Sequence, residues 1–152
     1  MIDKEKIAKA VKSILEALGE DPSRPGLIDT PKRVANLYSE LFSGLQRDPT
    51  KEFSTIFKEN SSELIILKDL PFNSLCEHHL LPFDGVVTVG YVSNKLIAGI
   101  GTIARSIEIL SSKPQIQERL TKQISELLEK TLQPSGVAIV IEANHLCMTI
   151  NS

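Results

Sequence analysis

The stretch Val86-Val87-Thr88-Val89-Gly90-Tyr91-Val92 carries the clearest sign of the fold in this chain. Its β-branched and aromatic residues alternate along the chain, which is typical of a β-strand. Ser93-Asn94 follows as a predicted turn. Outward from this stretch, short apolar runs predict further strands at residues 64–67, 96–100, 137–141 and 146–150.

Helical periodicity flanks these strands on both sides. Apolar residues three and four apart predict helices over residues 4–18 and 115–132, with a shorter one around residues 103–110. Another helix is predicted to start at Thr30 as its N-cap, with Pro31 in its first turn. This order of elements predicts an α+β fold in which helices cover one face of a mostly antiparallel sheet.

The composition narrows the class of function. The chain has 152 residues, 41% of them hydrophobic and 24% charged, with a net charge of −2. This is enough apolar material for one domain with a core. No stripe of Lys and Arg is evident, so nucleic acid is not an expected partner. No apolar run approaches the roughly 18 residues of a membrane span, and the charged start of the chain does not resemble a signal peptide. We therefore expect a cytoplasmic location and no membrane partner.

The metal-binding residue types are confined to two short clusters. All three histidines and both cysteines lie in Cys76-Glu77-His78-His79 or in His145-Leu146-Cys147. Thiolate and imidazole ligands together favour zinc, so we predict a Zn²⁺ site formed by Cys76, His79 and Cys147. Three protein ligands and a water are the catalytic pattern. A closed structural site, with His78 or His145 as fourth ligand, is the direct alternative, and a metal-free site is a further one.

Four other side chains are candidates for catalysis or substrate binding. His78 and His145 are candidates for proton transfer, although either could instead orient a metal ligand. Glu118 can accept hydrogen bonds from a guanine-like N–H edge, or simply place a negative charge at a helix N-terminus. Arg105 can pair with a phosphate, but a solvated helix position is the commoner role of a single arginine.

Several stretches of the sequence resemble the GTP cyclohydrolase I family. They run in the same order over nearly the whole chain, so the resemblance is far more specific than a zinc-ligand spacing. The matching stretches are GLIDTPKRVA at 26–35, CEHHLLPF at 76–83, AR at 104–105, QIQERLT at 115–121, GVA at 136–138 and EANHLCMT at 142–149.

The resemblance implies a fold, an assembly and a reaction. The fold would be the tunnelling fold (T-fold), with residues 1–50 as an N-terminal helical segment and residues 51–152 as the catalytic domain. The assembly would be a homo-oligomer, typically a decamer of two pentameric rings, with active sites between subunits. The reaction would convert GTP and water to 7,8-dihydroneopterin triphosphate and formate, the first step of tetrahydrofolate and pterin biosynthesis. Zinc would activate the water that attacks the purine ring.

The resemblance also implies roles for individual residues. By position, the zinc ligands of the family match Cys76, His79 and Cys147. Its main proton-transfer histidine matches His78, and the second one matches His145. Its purine-recognition pair matches Gln117 and Glu118, and one triphosphate contact matches Arg105.

Two departures from the family pattern both remove cationic groups. Gly101-Thr102 stands where the family usually has Ser-Lys, and Asn151 stands where it has an arginine. Each lost charge-assisted contact would weaken phosphate binding by roughly 1.5–3 kcal/mol. We also expect the last strand to be truncated. The alternatives are therefore a diverged or truncated homologue that acts on a less phosphorylated purine, or a catalytically silent oligomeric protein that binds a ligand.

Overall fold

The structure is a computed structural model that describes residues 1–59 and 62–150. The α+β fold is confirmed, and its elements are arranged as in the tunnelling fold. The helices are α1 (Lys4–Ala17), α2 (Thr30–Leu41), α3 (Ile100–Ser111), α4 (Gln117–Leu132) and α5 (Leu146–Thr149). The strands are β1 (Ile56–Lys58), β2 (Leu64–Cys76), β3 (Pro82–Val92), β4 (Leu96–Ala98), β5 (Pro114–Gln115) and β6 (Gly136–His145).

The main sheet has four strands in the order β5-β2-β3-β6. Strand β3 is antiparallel to both of its neighbours, β2 and β6, while the short β5 runs parallel to β2. Strands β1 and β4 form a separate antiparallel pair. The alternating stretch at residues 86–92 therefore lies in β3, which pairs with the two longest of the other strands, β2 and β6.

One face of the sheet packs against helices and forms the core. Alternate residues of β3 are buried on this face, and Val87 and Val89 are fully inaccessible to solvent. Their helical partners in the same cluster are Ile103 and Ile107 of α3 and Leu120, Ile124 and Leu128 of α4. Full burial of one such side chain stabilises the folded state by roughly 1.5–3 kcal/mol. The opposite face of the sheet is open and carries exposed Leu64, Ile66 and Val140.

Strand β2 is much longer than the predicted strand at residues 64–67. Lys68 and Asp69 interrupt the apolar pattern, and they coincide with a shift in register between Leu67 and Leu70. Asp69 has a left-handed backbone, with φ of 56°. This β-bulge lets pairing with β3 resume and continue as far as Leu75. The strand consequently carries Cys76 as its last residue.

The predicted strand at residues 146–150 is wrong, because Leu146–Thr149 is a helical turn. Strand β6 reaches the end of its partner at the pair His145 and Phe83, one residue from the start of β3 at Pro82. A proline has no N–H to offer to a sheet, so β6 would gain little by continuing. The chain instead forms a turn in which the Ile150 N–H donates to the Leu146 carbonyl at 3.1 Å.

Smaller differences concern element ends. The N-cap of α2 is Asp29 rather than Thr30, which is already helical. Helix α4 begins at Gln117, two residues later than predicted, because Pro114–Gln115 is used as a strand. The division at residue 50 stays a prediction, and Asn151 lies outside the described residues.

Within the described part of the chain, no helix combines the length and the apolar character needed to cross a membrane.

The β3–β6 pairing predicts that Gly85 tolerates no side chain. A Cβ at this position would lie 1.9 Å from the Glu142 carbonyl oxygen and 2.8 Å from the Ala143 Cα. We expect Gly85→Ala to lower the free energy of unfolding by about 2 kcal/mol or more, because the two backbones would have to separate. Urea denaturation monitored by circular dichroism measures the change.

The matched control is Gly90→Ala on the same strand, where the nearest atom to a new Cβ is the Ala138 carbonyl oxygen at 3.9 Å. Equal stability of the two variants would contradict the close approach at Gly85.

Candidate active site and metal centre

The sheet register brings the two cysteine-bearing segments together at one end of β3. Phe83 pairs with Ser74 of β2 on one side and with His145 of β6 on the other. Cys76 and Cys147 each follow these partners by two residues. Both cysteines therefore leave the sheet at the same end, on either side of β3.

The turn between β2 and β3 supplies the third member of the group. The Cys76 N–H donates to the Leu81 carbonyl and the Leu80 N–H donates to the Cys76 carbonyl, both at 2.8 Å. Leu80 has a left-handed backbone with φ of 53°, which makes this turn tight. It returns the chain toward Cys76, and the ligand atoms of Cys76, His79 and Cys147 all lie within 4.8 Å of one another.

This group fits zinc by its chemistry and its dimensions. Zinc takes thiolate sulfur at about 2.3 Å and imidazole nitrogen at about 2.0–2.1 Å, so ligand atoms less than 5 Å apart can share one ion. Two effects raise the pKa of Cys147: burial, which is the larger, and the neighbouring Cys76 thiol. A dication at this point would offset both effects, because it favours deprotonated thiols.

The other two histidines stand beside the group rather than in it. Among the described residues, the group that could hold a metal ion contains Cys76, His79 and Cys147, without His78 or His145. His78 has a largely exposed side chain, and its Nδ1 lies 3.9 Å from the Cys76 Sγ. This arrangement favours three protein ligands and an open position over a closed four-ligand site.

The imidazole of His145 is held in one orientation. It stacks on the buried Phe83 ring at a centroid distance of 4.8 Å and an interplanar angle of 5°. Its Nε2 lies 2.8 Å from Oε1 of Gln117, whose Nε2 donates to the Ile141 carbonyl at 3.0 Å. Because the amide nitrogen must face that carbonyl, the amide oxygen accepts from His145. The Nε2 of His145 therefore carries hydrogen, which leaves Nδ1 as the acceptor in the neutral ring.

A cavity of about 300 Å³ joins most of the predicted site residues. Of the eight, seven line it, and Arg105 does not. The remaining lining residues are mainly apolar. The whole lining consists of Cys76, His78, His79, Phe83, Gln115, Ile116, Gln117, Glu118, His145, Cys147 and Met148.

Arg105 lies on α3 and does not line this cavity of its own chain. Its Nε donates to the Glu52 Oε2 at 2.8 Å, and this hydrogen bond holds the pKa of Glu52 below its ordinary value. Arg47 approaches the other oxygen of Glu52 at 3.4 Å. Thr102, which stands where the family has lysine, is only 7% exposed. One chain alone therefore places neither position at the cavity.

Sequence reasoning missed three residues at this site. Phe83 supplies the ring under His145, and Glu77 forms a two-pronged ion pair with Arg119 of α4. All three residues lie inside the stretches 76–83 and 115–121 that carried the family resemblance. Membership of these stretches was the one sign in the sequence that they belong to the site. Their roles depend on contacts between segments distant in sequence, which spacing alone does not show.

Comparison with known proteins agrees with the geometry. The family model described as GTP cyclohydrolase I matches residues 7–152. GTP cyclohydrolase 1 of Streptococcus mutans is 51% identical over 151 residues, which cover 99% of this chain and 79% of the relative. The Bacillus subtilis protein of that name is 51% identical over 150 residues, covering 98% of this chain and 79% of the relative. The Listeria monocytogenes protein of that name is 53% identical over the same shares.

The fold, together with the family match and these relatives, defines this protein as a T-fold enzyme of the hydrolase class. The chain belongs to the GTP cyclohydrolase I family.

Replacement of single ligands tests the metal centre. We expect Cys147→Ala to lose most of its bound zinc, because one of three ligands is removed. His78→Ala should retain zinc, since His78 lies outside the ligand group. Zinc content per chain, measured by inductively coupled plasma mass spectrometry after gel filtration, distinguishes the two. Unchanged zinc in Cys147→Ala would remove this residue from the ligand set, and equal loss in His78→Ala would make His78 a ligand.

Proposed function

We propose that this protein opens the purine ring of GTP by hydrolysis and releases formate and 7,8-dihydroneopterin triphosphate, as the first step of pterin and tetrahydrofolate biosynthesis. The observation that carries the proposal is the single cavity that joins a Cys-His-Cys group to two further histidines and Glu118. The names of the relatives, at 51–53% identity over nearly the whole chain, support it.

The metal centre would hold zinc through Cys76, His79 and Cys147. Zinc bound there would supply a nucleophilic water at neutral pH by lowering the pKa of that water to about 7. A water attacking the purine must lose a proton and the opened ring nitrogen must gain one. His78, exposed at the mouth of the cavity, is the proposed main proton carrier. His145 is the proposed second one, with Nδ1 as its accepting atom.

The purine would be recognised from the start of α4. Glu118 is exposed there and lines the cavity, so its carboxylate can accept two hydrogen bonds from a guanine edge. Gln117 lines the cavity as well, but its amide already bonds His145 and the Ile141 carbonyl. We therefore place Gln117 behind the histidine, with base recognition resting mainly on Glu118.

The triphosphate would be bound with help from a second subunit. Arg105 does not line the cavity of its own chain, so as a phosphate contact it would have to reach the site of a neighbouring copy. This fits a homo-oligomer with sites between subunits, proposed to be a decamer of two pentameric rings. Residues 1–50 are proposed as its N-terminal helical segment, residues 51–152 as the catalytic domain and the cytoplasm as its location.

A less phosphorylated purine is the second candidate substrate. The specific observation that favours it is Thr102, which is buried on α3 and offers no cation where the family has lysine. A silent ligand-binding oligomer is the remaining possibility.

An assay of zinc-loaded protein with GTP, GMP and guanosine separates these functions. We expect GTP to give formate and the dihydroneopterin product in equal amounts, and to have a higher kcat/KM than GMP or guanosine. Preference for GMP or guanosine would replace GTP by the second candidate. Guanine nucleotide binding without formate release would overturn the enzymatic function.

A phosphate series on an Arg105 variant tests the triphosphate contact. We expect Arg105→Met to raise KM for GTP by about 10-fold or more, because a charge-assisted hydrogen bond contributes roughly 1.5–3 kcal/mol. KM for guanosine should not change. Arg47→Met is the matched control, since Arg47 contacts the same Glu52 carboxylate. An unchanged KM for GTP in Arg105→Met, or equal changes in both variants, would exclude Arg105 from phosphate binding.

A further inference from the structure

We propose that the ion pair between Glu77 and Arg119 has a positioning role. It would fix the turn at residues 77–81, between β2 and β3 and called here the metal-binding turn, against the start of α4. It would thereby align the metal centre with the proton-transfer histidines. The inference rests on the proposed function for its catalytic readout. Neither residue is among the predicted ligands, proton carriers or substrate contacts.

The pair has the geometry of a rigid connection. Arg119 Nη1 donates to one carboxylate oxygen of Glu77, and Nη2 donates to the other at 2.9 Å. Two parallel bonds from a planar guanidinium fix direction as well as distance, which a single ammonium cannot do. Both oxygens of the Glu77 carboxylate are therefore engaged by one guanidinium.

The pair connects the two halves of the candidate site. Glu77 lies between Cys76 and His78 in the turn, and its N–H donates to the Gln115 carbonyl at 3.0 Å. Arg119 lies in the first turn of α4, two residues after Gln117. The same helical turn thus contacts the metal-binding turn through Arg119 and contacts His145 through Gln117.

These contacts, with the backbone between them, form a closed ring that includes both cysteines. Starting from Cys76, the ring passes through Glu77 and Arg119 to α4, and from Gln117 through His145 to Cys147, two residues further on. The sheet provides one connection between the two cysteines, through β3. Helix α4 provides a second, independent one. Two connections restrict relative rotation of the ligand-bearing segments, which a single hinge-like connection does not.

The pair also matters for the proton carrier. Glu77 Oε1 lies 4.0 Å from His78 Nε2 and accepts from Arg119 at the same time. His78 is largely exposed, and its ring also lies near the Cys76 Sγ at 3.9 Å and the His79 ring at a centroid distance of 6.3 Å. Displacement of Glu77 would therefore be expected to move His78 together with the turn.

Replacement of Arg119 tests the inference on the full-length, zinc-loaded protein. Arg119→Met should release zinc to a chelator about 10-fold faster or more and lower kcat for GTP by a similar factor, the range seen when groups supporting metal ligands are removed. KM for GTP should change little, because a positioning residue does not contact the substrate. For Arg119→Lys, the rate of zinc release and kcat should lie between those of Arg119→Met and the wild type. Lysine keeps the positive charge but cannot donate two parallel hydrogen bonds to Glu77.

The matched control is Lys122→Met on the same helix. It removes an exposed ion pair with Glu126, 3.6 Å long, and should change neither zinc release nor kcat. Glu77→Gln provides a second variant from the other side of the pair and should follow Arg119→Met. Added ethylguanidinium should restore part of kcat to Arg119→Ala, because the isolated cation can occupy the vacated place.

Wild-type zinc release and kcat in Arg119→Met would overturn the inference. A raised KM with unchanged kcat would also overturn it, because Arg119 would then be a substrate contact. If wild-type protein retains zinc but forms no product from GTP, the proposed function fails, and the zinc-release comparison still decides whether the pair positions the turn.

Discussion

The candidate site depends on the hydrogen-bond register at the start of β3. Phe83 has backbone partners on both sides, and this double pairing sets how far apart the ends of β2 and β6 lie. Its side chain is fully buried under the His145 ring. A shift of one residue in either neighbour would turn its side chains to the other face and separate Cys76 from Cys147. The same pairing of Phe83 thus packs the core and brings the residues of the site together.

Much of this could be predicted from the sequence, for local reasons. The strand at β3 and the helix at α4 are marked by periodicity, and the confinement of every His and Cys to two clusters marked the candidate metal-binding group. The length of β2 could not be predicted, because the bulge at Asp69 hides its continuity. The helical turn at Leu146–Thr149 was missed because its cause is a proline in another strand.

Side-chain partners were the least predictable part. Glu118 and Gln117 are neighbours in sequence, yet one is open to the cavity and the other is bonded to His145. Arg105 carries a charge of the right sign, but in the single chain its partner is Glu52. Such assignments depend on which segments meet in three dimensions. Residue type limits the chemistry of a side chain, and the tertiary contacts select one use among those available.

The helical turn after β6 has a consequence for the order of assembly. Cys147 lies on that turn and His79 lies in the loop before β3, so both stand outside the ladder of backbone hydrogen bonds, while Cys76 ends a strand. The sheet can therefore form its backbone hydrogen bonds before the three candidate ligands are held together. A metal ion at this point would then bind to a scaffold that is already folded, and its removal would leave the sheet intact.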